Sequence, residues 1–375
     1  MILKICKKQV SLLNTLGKGY NMLDNKKITV AMSGGIDSAV AALLLSREGA
    51  DVSGATMRLC KRILADSNDA SDTDIADAKA ICDKLQIEHR VYSFEDEFYR
   101  TVIKNFIDTY LNGGTPNPCI VCNKTIKFGL MLDEEINRGA DYIATGHYAR
   151  IEQNESGRFL IRKADDDKKD QTYMLWSLSQ HQLSHTLFPL SKYTKAEIRA
   201  FAEEAGFSIA RKSDSQDICF VPDGDYASFI EKEIGEKYPA GNYIDDDGKI
   251  LGKHKGMIHY TIGQRKGLGI SMNKHVFVTK KNPDNNTVTL GDERELFRDR
   301  VIIKGINLIP FDKLDSGIRL EAKIRYSQKQ SPAYVEQTGE DELTLVFDSP
   351  QRAPAKGQSA VLYDGDYLIG GGIIV

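Results

Sequence analysis

No stretch of this 375-residue chain approaches the roughly 20 consecutive apolar residues of a membrane-spanning helix, so no membrane association is expected. A secretory signal is also missing. Residues 1–26 hold Ile2, Leu3, Ile5, Val10, Leu12 and Leu13, but Lys4, Lys7 and Lys8 break the run and no small-residue cleavage site follows. We read that segment as a loose extension ahead of a second possible start at Met22. Cysteine is scarce, at positions 6, 60, 82, 119, 122 and 219, and the spacing is not that of a disulfide framework. These absences predict a cytoplasmic protein with reduced thiols, where a cysteine is more often catalytic or ligating than structural. An excess of basic charge is absent too, since the net charge is -3. Any surface for nucleic acid must therefore be local. Residues 248–281 meet that condition with eight Lys or Arg, three His and no Asp or Glu, a pattern able to follow a phosphate backbone. A solvated loop face is the plainer reading of the same run.

What is present, 41% hydrophobic and 27% charged residues over this length, suffices for two or three globular cores. Ile28–Met32 is an apolar run closed by Ser33-Gly34-Gly35, and Ala39–Arg47 then reads as a helix. Strands are predicted at Val52–Met57, Glu88–Ser93 and Ala140–Thr145, with helices at Asp74–Leu85, Phe94–Leu111 and Thr125–Asn137. That alternation predicts an α/β domain with a doubly wound parallel sheet over 27–212, its ligand crevice beyond the carboxyl end of the first strand. A small central domain is expected over 213–283. From 284 to 375 short alternating runs, beginning with Thr287–Leu290, predict a C-terminal β-barrel.

Three motifs carry chemistry. Ser33-Gly34-Gly35-Ile36-Asp37-Ser38 follows a strand and opens a helix. Its glycines admit phosphate close to the backbone, the helix start directs N–H groups at it, and Asp37 suits magnesium or phosphate positioning. The loop lacks the Gly-Lys-Ser/Thr of a Walker loop and resembles the pyrophosphatase loop of ATP enzymes that transfer AMP. The second motif, Thr115-Pro116-Asn117-Pro118-Cys119-Ile120-Val121-Cys122-Asn123-Lys124, is a stiff loop ahead of a helix. The helix start and Lys124 are expected to favour a thiolate there. Zinc, a redox dithiol and plain buried cysteines compete with that reading, although no second C-x-x-C supplies the other half of a zinc site. The third motif, Asp214-Ser215-Gln216-Asp217-Ile218-Cys219-Phe220, ends in a lone cysteine.

Together with Ala144–Tyr148, Lys169–Tyr173, Gly263–Gly269, Arg325-Tyr326 and Gly357–Ala360, these motifs resemble the tRNA-specific 2-thiouridylases of the MnmA type from about Lys27 onward. The resemblance implies ATP-dependent 2-thiolation of the wobble uridine of tRNA. On that reading Cys122 is the nucleophile and Cys219 receives a persulfide, then forms a disulfide with Cys122. Ala31, Met32, Ser33, Gly34, Gly35, Ile36, Asp37, Ser38, Met57 and Gly146 would hold ATP with Mg2+. Asn117, Pro118 and Cys119 would meet the target base; His147, Lys169, Asp170, Gln171, Arg325, Tyr326 and Gln358 would touch the tRNA. No resident metal is implied. The implied partners are the tRNA anticodon loop, a sulfur-relay protein or cysteine desulfurase as persulfide donor, and a reductant for the disulfide. The chain departs from some members in having Cys119 where they have Asp, and Gln216-Asp217 where they have Thr-Gly. Two other classes stay open: an adenylating ligase or amidotransferase acting on a small substrate, and an inactive RNA-binding relative.

Overall fold

The computed structural model describes residues 23–60, 70–211, 218–272 and 274–375. Most of the expected N-terminal extension and residues 214–217 of the third motif lie outside them. Strands β1 (Lys27–Ala31), β2 (Asp51–Arg58), β3 (His89–Ser93), β4 (Tyr142–Ala144) and β7 (Thr186–Leu187) form a parallel sheet in the order β3-β2-β1-β4-β7. The order reverses direction between β1 and β4, where an open α/β sheet leaves a crevice.

Helix α1 (Ile36–Arg47) buries residues on every side, Ile36 and Ala39 to Leu45 among them, as the unbroken apolar run Ala39–Leu45 requires. Helix α2 (Ala70–Leu85) follows β2, and α3 runs from Glu95 to Leu111 through a π-helical stretch at Tyr99–Ile103. Helix α4 joins an α-turn, Pro118–Cys122, to a π-helical segment, Asn123–Leu130, and an α-helical end, Met131–Asn137. It therefore begins seven residues before the predicted Thr125. Pro118 explains the early start: proline's fixed φ and missing N–H suit the first helical position.

Buried Glu135 anchors the far end of α4 to the sheet. Its carboxylate accepts from Thr29 Oγ1 on β1 at 2.6 Å, and from Tyr92 OH at 2.7 Å and the Arg90 guanidinium at 2.8 Å on β3. The near end is held by the other two units, as described below.

After α5 (Lys195–Glu204) and α6 (Tyr226–Ile234), a four-stranded sheet has the order β10-β11-β8-β9, with β8 at Gly241–Ile244, β9 at Ile250–His254, β10 at Phe277–Asn282 and β11 at Thr287–Gly291. Here the structure corrects the sequence reading, which gave the Thr287 strand to the C-terminal barrel. The strand pairs antiparallel with β10 across a short turn and parallel with β8. Alternation identifies a strand without saying which sheet it joins.

The barrel itself is closed and antiparallel. Strands β12 (Phe297–Leu308), β15 (Glu342–Arg352), β14 (Ser331–Gly339), β13 (Ile318–Lys323), β16 (Ser359–Asp364) and β17 (Tyr367–Ile374) are neighbours in that order, and β12 pairs with β17 to complete the ring. A hairpin from the first unit, β5 (Ala149–Gln153) and β6 (Phe159–Lys163), adds to β17 and ties that unit to the barrel.

Replacing Glu135 by Ala takes one acceptor from Thr29, Tyr92 and Arg90, although Thr29 Oγ1 keeps Ser53 Oγ at 3.0 Å. Because Arg90 keeps its second partner Glu88, the expected loss of stability is about 3 kcal/mol, the lower end for a broken buried pair. Urea denaturation of Glu135→Ala measures it, and a loss within error of zero would contradict the anchoring role.

Candidate functional site

One cleft of about 1,400 Å3 opens at the sheet's reversal point. Its floor is the turn after β1: Ala31, Met32, Ser33, Asp37 and Ser38 line it, with Met57 from β2 and Gly146 from the turn after β4. Gly34, Gly35 and Ile36 shape the turn without lining the space; Ile36 is core. Gly34 adopts φ 67°, and a Cβ there would lie 2.5 Å from the Asp74 carbonyl oxygen, so only glycine fits. Gly146 is as tightly constrained, since a Cβ would come 2.7 Å from that of Asp37. The turn is braced by Ser38 Oγ, which donates to the Gly35 carbonyl at 3.0 Å and accepts from Ser33 N–H at 3.2 Å.

These residues fit a nucleotide triphosphate. Gly35 occupies the N-cap of α1 and no side chain caps the helix, so its first N–H groups face outward with the positive end of the dipole. Asp37 carries partners that the sequence did not disclose. Lys195 Nζ lies 2.8 Å from both of its oxygens, and Tyr148 OH donates to it at 2.9 Å. Lys195 sits 158 positions away at the start of α5, so nothing local could have linked the pair.

Cys119 and Cys122 line one side of the same cleft from the first turns of α4, and Cys219 lines it from the segment before α6. Cys60, at the end of β2, is a fourth thiol on the wall that sequence reasoning passed over. No disulfide joins these four. Next to Cys219, Phe220 is buried edge-on against Phe98 and Phe106 of α3, with ring centroids 5.7 and 5.2 Å away. That wedge holds the neighbouring thiol at the cleft.

The expected ready thiolate is overturned. Solvent reaches Cys119 and Cys219 through the cleft, yet protein surrounds them on most sides and would strip water from a thiolate. Burial pushes Cys122 up to about 11 and raises both others. Lys124 does not act on them. The opposing cation is Lys127, which acts on all three thiols and on His147, itself held well below the ordinary imidazole range by burial and by this charge. Lys127 is missed in the sequence because it stands five residues beyond Cys122, the hydrogen-bond spacing of the π-helical segment Asn123–Leu130, which no residue pattern announces.

Among the other residues singled out, Pro118, His147 and Gln171 line the cleft. His147 Nδ1 is 2.7 Å from Thr145 Oγ1, and Gln171 Oε1 accepts from Tyr148 N–H at 2.9 Å. Asn117 caps α4 just outside the lining. Lys169, Asp170, Arg325, Tyr326 and Gln358 do not line it. Asp170 accepts from Thr172 N–H and Oγ1 at 3.2 and 2.8 Å, and Tyr326 OH donates to the Asp170 carbonyl at 3.3 Å with Lys169 close by. Arg325 donates to the Ala353 carbonyl. Gln358 Nε2 donates to the Thr115 and Pro116 carbonyls, each at 3.0 Å, while Thr115 N–H donates to the Lys356 carbonyl at 2.8 Å. Lys281, on β10, donates to the Gly114 carbonyl at 3.2 Å. Both later units thus grip the loop that leads into α4. Among the described residues, no group of three or more His, Cys, Asp or Glu is placed to hold a metal, and no helix is long and apolar enough to cross a membrane.

The parallel sheet with a glycine turn after its first strand is an α/β domain of the HUP class. The family described as "tRNA methyl transferase HUP domain" matches residues 26–223, with "tRNA methyl transferase PRC-barrel domain" over 227–292 and "Aminomethyltransferase beta-barrel domain" over 298–374. The chain is 49% identical over 357 residues to the tRNA-specific 2-thiouridylase MnmA of Clostridioides difficile, covering 94% of this chain and 99% of the relative. It is 48% identical to that of Clostridium acetobutylicum (93% and 99% covered) and 46% identical to that of Acetivibrio thermocellus (94% and 100% covered). The chain belongs to the tRNA-specific 2-thiouridylase MnmA family.

With the Cys122 thiol neutral near pH 7, its alkylation by iodoacetamide in the free protein should rise about tenfold per pH unit and not level off before about pH 10. Peptide mass mapping across the pH range checks this. A plateau near pH 8 would contradict it.

Proposed function

We propose that the protein thiolates the wobble uridine of tRNA at C2. The observation that carries this reading is the shared cleft, in which a phosphate-binding turn and the thiols Cys122 and Cys219 border one space. A carbonyl oxygen is a poor leaving group, so sulfur needs an activated C2. ATP bound with Mg2+ would supply the adenylyl group that makes this oxygen leave. The N–H groups at the start of α1 and Ser33 would hold the phosphates, Asp37 would orient the magnesium or the phosphates, and Lys195, 2.8 Å from both its oxygens, fixes Asp37.

Cys219 carries the transferable sulfur as a persulfide received from a sulfur-relay protein or cysteine desulfurase. Cys122 attacks Cys219 Sγ; a Cys122–Cys219 disulfide forms, the S–S bond to the terminal sulfur breaks, and that sulfur departs with the electron pair as hydrosulfide. Its attack at C2 expels AMP. Direct attack by the terminal sulfur is the variant with the same products. A dithiol reductant then restores both cysteines. The target base must leave its stack to enter the cleft, which costs least in a single-stranded anticodon loop. Asn117, Pro118 and Cys119 would border it, His147 and Gln171 would line its path, and Lys169, Asp170, Arg325, Tyr326 and Gln358 would lie along the tRNA outside. The reading sets the protein in the cytoplasm, where its thiols stay reduced.

Mass analysis of tRNA nucleosides after incubation with ATP and a sulfur source should find 2-thiouridine with the parent, and none above background with Cys122→Ser or Cys219→Ser. Product from both variants would remove the mechanism, and methylated uridine would replace it with the transfer that the domain descriptions name. Asp37→Ala should abolish tRNA-dependent pyrophosphate release while tRNA binding stays within about threefold of the parent. Pyrophosphate release without RNA would favour a small-molecule ligase.

A further inference from the structure

Sulfur travels through this cleft as an anion, and the cleft wall beside the thiols has to be judged by how it treats negative charge. Three side chains raise the question together. Cys119 and Cys122 stand one helical turn apart on α4, and Cys219 faces them from the segment fixed by Phe220. Each is desolvated, and each would be harder to ionise next to another thiolate.

Only three Lys or Arg side chains line the cleft among the described residues, namely Arg100, Lys127 and Lys232. Arg100 is exposed and paired with Glu97, and Lys232, in the last turn of α6, is exposed as well. Lys127 is different in kind. Its Nζ donates to Asn123 Oδ1 at 3.1 Å, and the buried Asn123 is itself locked by donating from Nδ2 to the Met174 carbonyl at 3.0 Å. A long side chain that would otherwise sample many rotamers is thus tethered in place, at no further ordering cost when an anion arrives. The π-helical turn supplies the direction, because a wider period brings the residue five beyond Cys122 onto the thiol's own face.

We propose that Lys127 is a catalytic residue that forms the anion site of the sulfur-transfer chamber, pairing first with the Cys122 thiolate and then with the hydrosulfide that this thiolate releases. The proposal rests on the sulfur-transfer reading above and adds a residue to it. In the first stage the Cys122 proton passes to the terminal sulfur of the Cys219 persulfide, and Lys127 compensates the charge left on Cys122 Sγ. In the second, the Cys122–Cys219 bond forms, the electron pair passes to the terminal sulfur, and the negative charge moves by about one sulfur diameter within reach of the same ammonium. One fixed cation therefore serves both anions without crossing the cleft. The other titratable groups around Cys122 cannot substitute. Cys119 beside it, Cys219 opposite and Cys60 at the end of β2 carry no positive charge, His147 after β4 is held neutral, and Asp37 and Asp74 border the nucleotide turn with negative charge.

The test compares Lys127→Met and Lys127→Arg in the full-length protein, with iodoacetamide as the probe and peptide mapping of Cys122 as the readout. At about pH 8, Lys127→Met should alkylate at Cys122 about tenfold more slowly than the parent, and Lys127→Arg should recover to within about threefold. Single-turnover sulfur transfer from the persulfide-loaded protein should move its pH profile upward in Lys127→Met, so that part of the lost rate returns at high pH. A side chain that only filled space would lower the rate equally at every pH. Parent-like alkylation in Lys127→Met, or no recovery with Arg in a variant that unfolds at the parent's urea midpoint, would overturn the proposal. The alkylation arm needs neither ATP nor tRNA, so it stands or falls separately from the thiolation of uridine.

Discussion

Everything in this molecule that concerns sulfur depends on how helix α4 is held. At one end Glu135 is buried with Thr29, Arg90 and Tyr92, locking the helix to strands β1 and β3. At the other, Gln358 and the Lys356 carbonyl of the barrel and Lys281 of the central sheet grip the backbone between Gly114 and Pro116. A helix clamped by three separate units cannot shift its register without breaking buried hydrogen bonds, each of which is costly to leave unmade. Cys119 and Cys122 are therefore presented to the cleft from a rigid element, which is what a site requiring ångström-scale placement needs.

The barrel's role follows from the same clamp. Gln358, expected to touch tRNA, spends both amide hydrogens on the loop before α4. Tyr326 remains 41% exposed near Lys169. One unit thus steadies the helix that carries Cys119 and Cys122 and keeps an exposed aromatic ring outside the cleft. Desolvation raises the Cys122 and Cys219 thiols alike, and Lys127 is the charge that opposes it.

Much of this was legible in the sequence. The strand, glycine turn and helix around Ser33–Ser38 sit where the pattern put them, because a local turn is encoded by local residues. Cys122 and Cys219 line one cleft although 97 positions separate them, and the motif resemblance rather than any periodicity brought them together. What stayed hidden was set by distant packing or by backbone geometry without a residue code. The ion pair of Asp37 with Lys195 joins two helix starts across the fold. The π-helical turn that aims Lys127 follows no composition rule, and the strand at Thr287 alternates like any barrel strand yet pairs elsewhere. The thiolate expected from the helix start was misjudged because sequence shows a nearby lysine but not the loss of water.

The central claim is that Cys122 and Cys219 exchange one sulfur while becoming bonded to each other. The most direct measurement is a single turnover of persulfide-loaded protein with ATP and tRNA, quenched by acid and mapped without reductant. The account predicts one Cys122–Cys219 disulfide for each 2-thiouridine formed. Thiolated tRNA accompanied by two free thiols, or by a disulfide linking any other pair, would contradict it.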